Sequence, residues 1–196
     1  MLTELELIRH GEPVGGRAYR GHGVDDPLSE WGWAQMRARV SEHAESPWHA
    51  VVTSPLQRCR AFAEEVAGQH GLPLSVEERL KEVGFGRWEG CTHEEVQTRW
   101  PEEWAAFHAD PVANRPQGAE DLNGFVERVA EALEELVRIH RGERVLVVAH
   151  AGVIRAALVH VLEAPPASMY RIQVRNAGIT RLRHENERWL VTAINA

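Results

Sequence analysis

Two apolar runs far apart in the chain stop in the same way. Leu5, Leu7 and Ile8 lead into Arg9-His10-Gly11, and Val145-Leu146-Val147-Val148-Ala149 leads into His150-Ala151-Gly152. Each is short enough for a buried strand, and Thr3 to Ile8 alternates Glu4 and Glu6 with apolar residues, as a strand passing from half-buried to buried would. In an open α/β sheet ligands bind beyond the carboxyl ends of the strands, and a glycine there lets the backbone come close to one. Two strands that end in histidine therefore predict one shared edge.

The intervening sequence alternates helix and strand patterns. Residues 11–27 form a Gly- and Asp-rich loop with no hydrophobic period, long enough to be functional. Ser29 then caps a helix to about His43. His49 to Thr53 reads as a strand, Ser54-Pro55 as the cap and first residue of a second helix to about Gln69, and Leu74 to Val76 as another short strand. Residues 77–117 have a different texture, with two short helical stretches at Thr92 to Arg99 and Glu102 to His108. An amphipathic helix follows from about Glu120 to His140, then the Arg144 to Ala149 strand and a helix from Val153 to Leu162. Ile179 to His184 and Arg188 to Ile194 form a hairpin around Glu185-Asn186-Glu187. This order predicts a three-layer α/β/α sandwich with a mostly parallel central sheet, a single domain over 1–196 with 77–117 as a cap-like insertion.

Composition narrows the partners. With 22 Lys+Arg against 29 Asp+Glu, the formal charge of -7 argues against non-specific binding to nucleic acid or acidic membranes. Lys81 is the only lysine, so nearly all the basic residues are arginines. Cys59 and Cys91 lack metal-type spacing and fit a reducing cytosol, and neither a leader nor a membrane span is evident, so a cytoplasmic protein is expected. No histidine pair shows His-x-x-x-His spacing, so no metal and no cofactor is expected. His22, His43, His49, His70, His93, His108, His140, His160 and His184 read as solvated or packing residues. Asp25-Asp26 reads as loop-closing or capping, and Cys59 as a small buried residue.

Arg9, His10 and His150 at one edge, joined by Arg58 in the first turn of the second helix, would form a cationic pocket. A transferring phosphoryl group spreads negative charge over three oxygens, so holding it is mostly positioning and electrostatics. His10 would be the nucleophile: one imidazole nitrogen attacks phosphorus while the other is held by a hydrogen bond. The leaving alkoxide needs a proton, and Glu82, set among apolar and glycine residues in Leu80 to Gly86, is the donor expected, with desolvation raising its pKa; Glu78, Glu89 and Glu12 are the other carboxylates nearby in sequence, and Glu12 fits an orienting role better.

The whole pattern resembles the histidine phosphatase superfamily, also called the phosphoglycerate mutase-like fold. Leu7 to Glu12 is similar to its Arg-His-Gly motif, Asp26-Pro27-Leu28-Ser29-Glu30-Trp31-Gly32 with Gln35 to its next segment, and Ser54-Pro55-Leu56-Gln57-Arg58 to the second-arginine motif. Leu80 to Gly90 resembles the segment with the acid, and Val147 to Arg155 the second-histidine motif. The resemblance implies a phosphohistidine on His10, phosphate binding by Arg9, Arg58 and His150, and proton transfer by Glu82. Ala151, Arg20 and Gly21 complete the expected substrate-binding set.

Metal-independent hydrolysis of small phosphomonoesters is the function implied. Gly11-Glu12-Pro13, Tyr19-Arg20-Gly21 and Phe85 to Gly90 look most like the α-ribazole phosphatases and their broad-specificity neighbours, which makes α-ribazole 5′-phosphate a substrate to test. A cofactor-dependent phosphoglycerate mutase is the first rival, though mutases carry a longer, basic middle section and this one is acid-rich (Glu94, Glu95, Glu102, Glu103). A phospho-ligand binding module without turnover is the second, and the presence of all five site residues speaks against it. A homodimer stays open, since the sheet can absorb every apolar stripe. Trp88 or another cap aromatic would stack a nucleoside-like group, or simply pack. Three departures from the family pattern matter. Pro13 stands where Thr or Ser is common and Gly16 near where Asn is, so that one phosphate contact is absent or supplied by Arg20. Asp121 stands where Ser is common, and either caps the long helix or faces the pocket, where it would weaken binding of a multiply anionic substrate.

Overall fold

The computed structural model describes residues 1–42 and 48–196. Six strands, β1 (Thr3–Arg9), β2 (Ala50–Thr53), β3 (Leu74–Val76), β4 (Arg144–Ala149), β5 (Ile179–Glu185) and β6 (Arg188–Ala193), form one sheet in the order β3-β2-β4-β1-β5-β6. The first four run parallel, while β5 pairs antiparallel with β1 and β6 with β5. Six α-helices complete the fold: α1 (Glu30–Glu42), α2 (Gln57–His70), α3 (His93–Arg99), α4 (Pro101–Ala109), α5 (Leu122–Ile139) and α6 (Ala151–Val161).

The period of two in the strands divides the core. Leu5, Leu7, Val52, Val145 and Val147 share one cluster with Phe125, Val129 and Leu133 of α5 and Ile154 and Leu158 of α6. Ile8, Val51, Leu146 and Val148 face the other way, against Met36 of α1 and Phe62 and Val66 of α2. Each such fully buried aliphatic or phenyl side chain contributes roughly 1.5–3 kcal/mol to holding the layers together. The result is the expected three-layer sandwich.

β1 is central rather than graded from half-buried to buried. Glu4 and Glu6 are both buried, because β4 and β5 flank them and supply cations. Glu6 accepts from Trp48 Nε1 (2.7 Å), Arg144 (2.8 Å) and Arg181 (2.7 Å), and Glu4 pairs with Arg183 at 2.7 Å.

The helix starts show where local patterns hold and where they fail. Ser29 Oγ accepts from Gly32 N–H at 3.0 Å, as an N-cap should, while the expected end at His43 lies outside the described residues. Asp121 caps α5, accepting from Gly124 N–H at 2.8 Å, which settles its two readings in favour of the cap. α2 begins at Gln57 and not at Ser54-Pro55, because the Ser54 hydroxyl is engaged by His150 and the Asp25 carboxylate takes the Gln57 N–H instead, at 2.8 Å. α6 begins at Ala151, two residues before the expected start, with His150 extended at the N-cap position.

Between β3 and α5 the chain leaves the sheet through 3₁₀ turns at Glu78–Leu80 and Gly86–Trp88, then through α3 and α4. Buried Trp88, Val96 and Phe107 are continuous with the α5/α6 side of the core. A further 3₁₀ stretch, Pro166–Arg171, is an element that no sequence pattern announced, and from it the chain returns past the carboxyl edge to β5. Among the described residues no helix is long and apolar enough to cross a membrane.

Candidate active site

Parallel pairing of β1 with β4 sets Ile8 opposite Val148 and Arg9 opposite Ala149, so the residues after them emerge side by side. His10 N–H donates to the Ala149 carbonyl (3.0 Å), and the His10 and His150 ring centroids lie 5.2 Å apart. In front of His10 opens a cavity of about 740 Å³, lined by Arg9, His10, Arg20, Gly21, Arg58, Glu82 and Ala151 among others. A second hollow of about 560 Å³, near Glu134, His160 and Trp189, contains none of these residues.

The His10 ring is held in one orientation. Its Nδ1 lies 2.7 Å from the Gly11 carbonyl, so the ring proton sits there as donor and Nε2 keeps its lone pair. Burial, reinforced by the charges of Arg58 and Arg9, pushes the imidazole well below its usual 6.5, which keeps it neutral. Gly11 makes room for something other than a ligand: a Cβ there would stand 2.2 Å from the Gly32 carbonyl oxygen, so the close approach is to the start of α1.

Both arginines expected at the phosphate are held by carbonyls. Arg9 donates to Val174 O at 2.7 Å, and buried Arg58 donates to Val24 O (3.0 Å) and Gly21 O (2.9 Å). Each keeps a buried Nε without an acceptor, and an anion in the cavity would supply one. Burial lowers the Arg9 guanidinium to about 10, with Glu82 opposing and Arg155, Arg17 and Arg58 adding to the fall. It remains charged at neutral pH.

Glu82 meets the amino end of α6. One oxygen accepts from Val83 N–H (2.9 Å), the other from Gly152 N–H (3.2 Å). A Cβ on Gly152 would lie 2.1 Å from Glu82 Oε1, so the glycine of His150-Ala151-Gly152 is there to admit this carboxylate. Arg128 donates to the carbonyls of Lys81 (3.0 Å) and Glu82 (3.4 Å), and His22 Nδ1 donates to the Glu82 carbonyl (3.0 Å). His22 therefore fastens the acid's loop to the Arg20 loop instead of being merely solvated.

His150 is fully buried beside His10 and is not among the cavity-lining residues. Its Nε2 lies 2.7 Å from Ser54 Oγ, which also accepts weakly from Leu56 N–H (3.3 Å), and Cys59 Sγ sits 3.5 Å from the same nitrogen. Burial, with Arg58 next, lowers this ring well below 6.5 too. Burial raises the Cys59 thiol, consistent with a small packed residue.

Arg20 secures its loop more than it faces outward. It donates to Asp26 (2.8 Å), Gly16 O (2.8 Å) and Val14 O (2.7 Å), which leaves little of it to replace a missing phosphate contact. Gly21 lies at φ +53°, where a side chain would collide with the Glu89 carboxylate. Glu89 bridges Gly23 N–H (3.0 Å) and Phe85 N–H (2.8 Å), tying the turn that holds Arg58 to the loop that carries Glu82. Ala151 opens α6 at the cavity wall, where helix N–H groups favour an anion.

Trp88 is no stacking platform. It is fully buried between Tyr19 and Phe107, with Nε1 donating to Glu103 at 2.6 Å. Sequence reasoning took Ser54 for a helix cap and Glu89 for a rival acid where it is a bridge between loops, and it missed the wall residues Arg17, His93, His108, Arg155, Tyr170, Arg175 and Asn176. His93 and His108 line the cavity from the two short helices, and Asn176 donates to His10 O at 3.1 Å. Gly21-His22-Gly23 was the available sign of a close approach in that loop. Among the described residues no three His, Cys, Asp or Glu side chains are grouped as metal ligands.

Comparison with known proteins finds phosphatases among the chain's relatives. The chain is 29% identical over 195 residues to phosphoserine phosphatase 1 of Hydrogenobacter thermophilus, covering 99% of this chain and 92% of that one. It is 30% identical over 172 residues to the adenosylcobalamin/alpha-ribazole phosphatase of Salmonella typhimurium, covering 87% and 85%. The native structure of mycobacterial glucosyl-3-phosphoglycerate phosphatase superposes with a TM-score of 0.87 at 27% identity, over the full length of both chains. The sequence profile of the histidine phosphatase superfamily (branch 1) matches residues 5–196, and the chain belongs to that family.

Proposed function

We propose that the protein hydrolyses small phosphomonoesters, without a metal, through a phosphohistidine on His10. The observation that carries this is the His10 Nδ1 contact to the Gly11 carbonyl at 2.7 Å, which leaves Nε2 as a neutral nucleophile beside Arg9 and the buried Arg58. The lone pair of Nε2 attacks phosphorus, the ester P–O bond breaks, and the alkoxide takes a proton from Glu82. Arg9 and Arg58 bind the phosphoryl oxygens through donors that have no acceptor among the described residues, and His150, buried beside His10 and hydrogen-bonded to Ser54, backs the pocket. Glu82, now a carboxylate, takes a proton from water; that water attacks phosphorus, the P–N bond breaks, and inorganic phosphate and neutral His10 remain.

His10→Ala tests the reading with p-nitrophenyl phosphate. Chelator-treated wild type is expected to hydrolyse the ester between mildly acid and neutral pH, and the variant to lose at least about 10³-fold in kcat with its fold intact. Undiminished turnover by the variant overturns the assignment of the nucleophile. The same preparation with 3-phosphoglycerate and a bisphosphoglycerate primer separates a phosphatase from a mutase, since isomerisation faster than hydrolysis would make the protein a mutase. A panel that includes α-ribazole 5′-phosphate, the ester to which the motif resemblance points, identifies the alcohol.

A further inference from the structure

Most arginines of this chain face a carboxylate. Arg20, Arg37, Arg60, Arg79, Arg87 and Arg128 each lie within 3.0 Å of an Asp or Glu oxygen. The outer wall of the catalytic cavity breaks that pattern. Arg17 and Arg175 line it, are exposed, and make no side-chain hydrogen bond or ion pair among the described residues. Arg155 lines it too; its Nε donates to the Ile172 carbonyl at 2.8 Å, and among the described residues no carboxylate forms an ion pair with it. In a chain of net charge -7 there is no shortage of carboxylates to neutralise these three.

One phosphoryl group does not need them. Arg9 and Arg58 already stand beside His10 with unpartnered Nε atoms, and Ala151 offers a helix start. The cavity, at about 740 Å³, extends well past the phosphoryl position. Two carboxylates share its wall, Glu12 and Glu82, and Glu82 is held at α6 by two backbone N–H groups. Asp121, the acid that would have repelled a second anion, is turned to Gly124 as a helix cap.

We propose that Arg17, Arg155 and Arg175 form a second anion subsite, so that the preferred substrate is a phosphomonoester whose alcohol carries a carboxylate. This rests on the phosphatase reading above and departs from a neutral nucleoside alcohol. Guanidinium groups at the mouth bind a carboxylate in a fork, and exposure leaves that interaction open to screening by salt. Arg155 anchors the subsite, since its Nε bond to Ile172 O orients the fork, while Arg17 and Arg175 join it from two further loops that line the same cavity.

The test compares matched esters. Phosphoserine is set against phosphoethanolamine, and 3-phosphoglycerate against glycerol 3-phosphate, with p-nitrophenyl phosphate and α-ribazole 5′-phosphate as references. The carboxylated member of each pair is expected to have a kcat/KM roughly tenfold to a hundredfold higher, as one or two charge-assisted hydrogen bonds would give. Arg17→Gln and Arg175→Gln are expected to shrink that ratio several-fold, as is added salt. Calorimetric binding of the same pairs to the His10→Ala variant reads the subsite without turnover. Equal affinities and equal kcat/KM within each pair, or a preference for α-ribazole 5′-phosphate over both carboxylated esters, overturn the subsite. Preferential binding of the carboxylated members with no hydrolysis of any ester would instead sink the phosphatase reading and leave the subsite standing.

Discussion

At the scale of single residues, the candidate site keeps two imidazoles uncharged. His10 and His150 are both pushed well below 6.5, by burial first and by Arg58 next. Above 6.5 the rings are neutral in folded and unfolded chains alike. Below it the unfolded chain takes up protons that the fold refuses, so stability falls as pH drops, by about 1.4 kcal/mol per pH unit for each ring. Carboxylates held low by hydrogen bonds to arginine, such as Glu6 and Glu120, begin to cost stability only below 4.5, so the interval from 6.5 to 4.5 belongs mainly to these histidines. Urea unfolding at pH 7, 6 and 5 is expected to show a midpoint falling with each step, while the ring signals of His10 and His150 in NMR show no titration near 6.5. A stability constant across that range, or a ring titrating at 6.5, would contradict the electrostatics of the site.

At the scale of elements, α6 and the acid's loop are fitted through Gly152. Alanine there suits a helix better than glycine by roughly 0.5–1 kcal/mol, yet its Cβ would stand 2.1 Å from Glu82 Oε1. The carboxylate is the far end of a flexible side chain and gives way, losing its hold on the Gly152 N–H at the start of α6, while Val83 Cγ1, 3.1 Å from the same Cβ, needs to move only a few tenths of an ångström. Gly152→Ala is therefore expected to keep or raise Tm while lowering kcat roughly 100-fold on esters with poor leaving groups, and less on p-nitrophenyl phosphate. A parallel fall in Tm and kcat would mean that the glycine serves packing alone. This contact illustrates what a sequence shows and what it hides. Strand ends at His10 and His150, the α5 stripe and the Ser29 cap are legible because period, turn chemistry and capping act over a few residues. Ser54 to His150, Glu89 to Gly23 and the Asp25 cap of α2 span 32 to 96 residues. Such contacts are set by sheet order, which local pattern does not encode. Ser54-Pro55 satisfied every local rule for a helix start, and the long-range bond to His150 overrode it.

For the whole molecule, the sheet order has a consequence for time. β1 and β2 are neighbours in the chain but not in the sheet, because β4 lies between them, and β4 is completed only at Ala149. β2 can pair locally with β3, but β1 has no partner before β4, and the β1–β4 and β2–β4 pairings that unite the sheet join residues such as Glu4 with Arg144 and Ala50 with Val145, a high-contact-order arrangement in which loop closure precedes reward. We expect Val147→Ala, in β4 and fully buried, to slow refolding more than it speeds unfolding in a chevron experiment, whereas a comparable truncation at Leu182 in β5 mainly speeds unfolding. The reverse partition would place the nucleus at the antiparallel edge. During synthesis, β1 emerges early with its charged Glu4 and Glu6 side chains still lacking Arg144, Arg181 and Arg183, and both edges unpaired. Those two carboxylates, buried and neutralised in the finished protein, give the nascent strand like charges that discourage it from joining a second copy. A substitution of Glu4 or Glu6 by an apolar residue would thus be felt first as aggregation on the ribosome's side of folding, before any change in the completed enzyme.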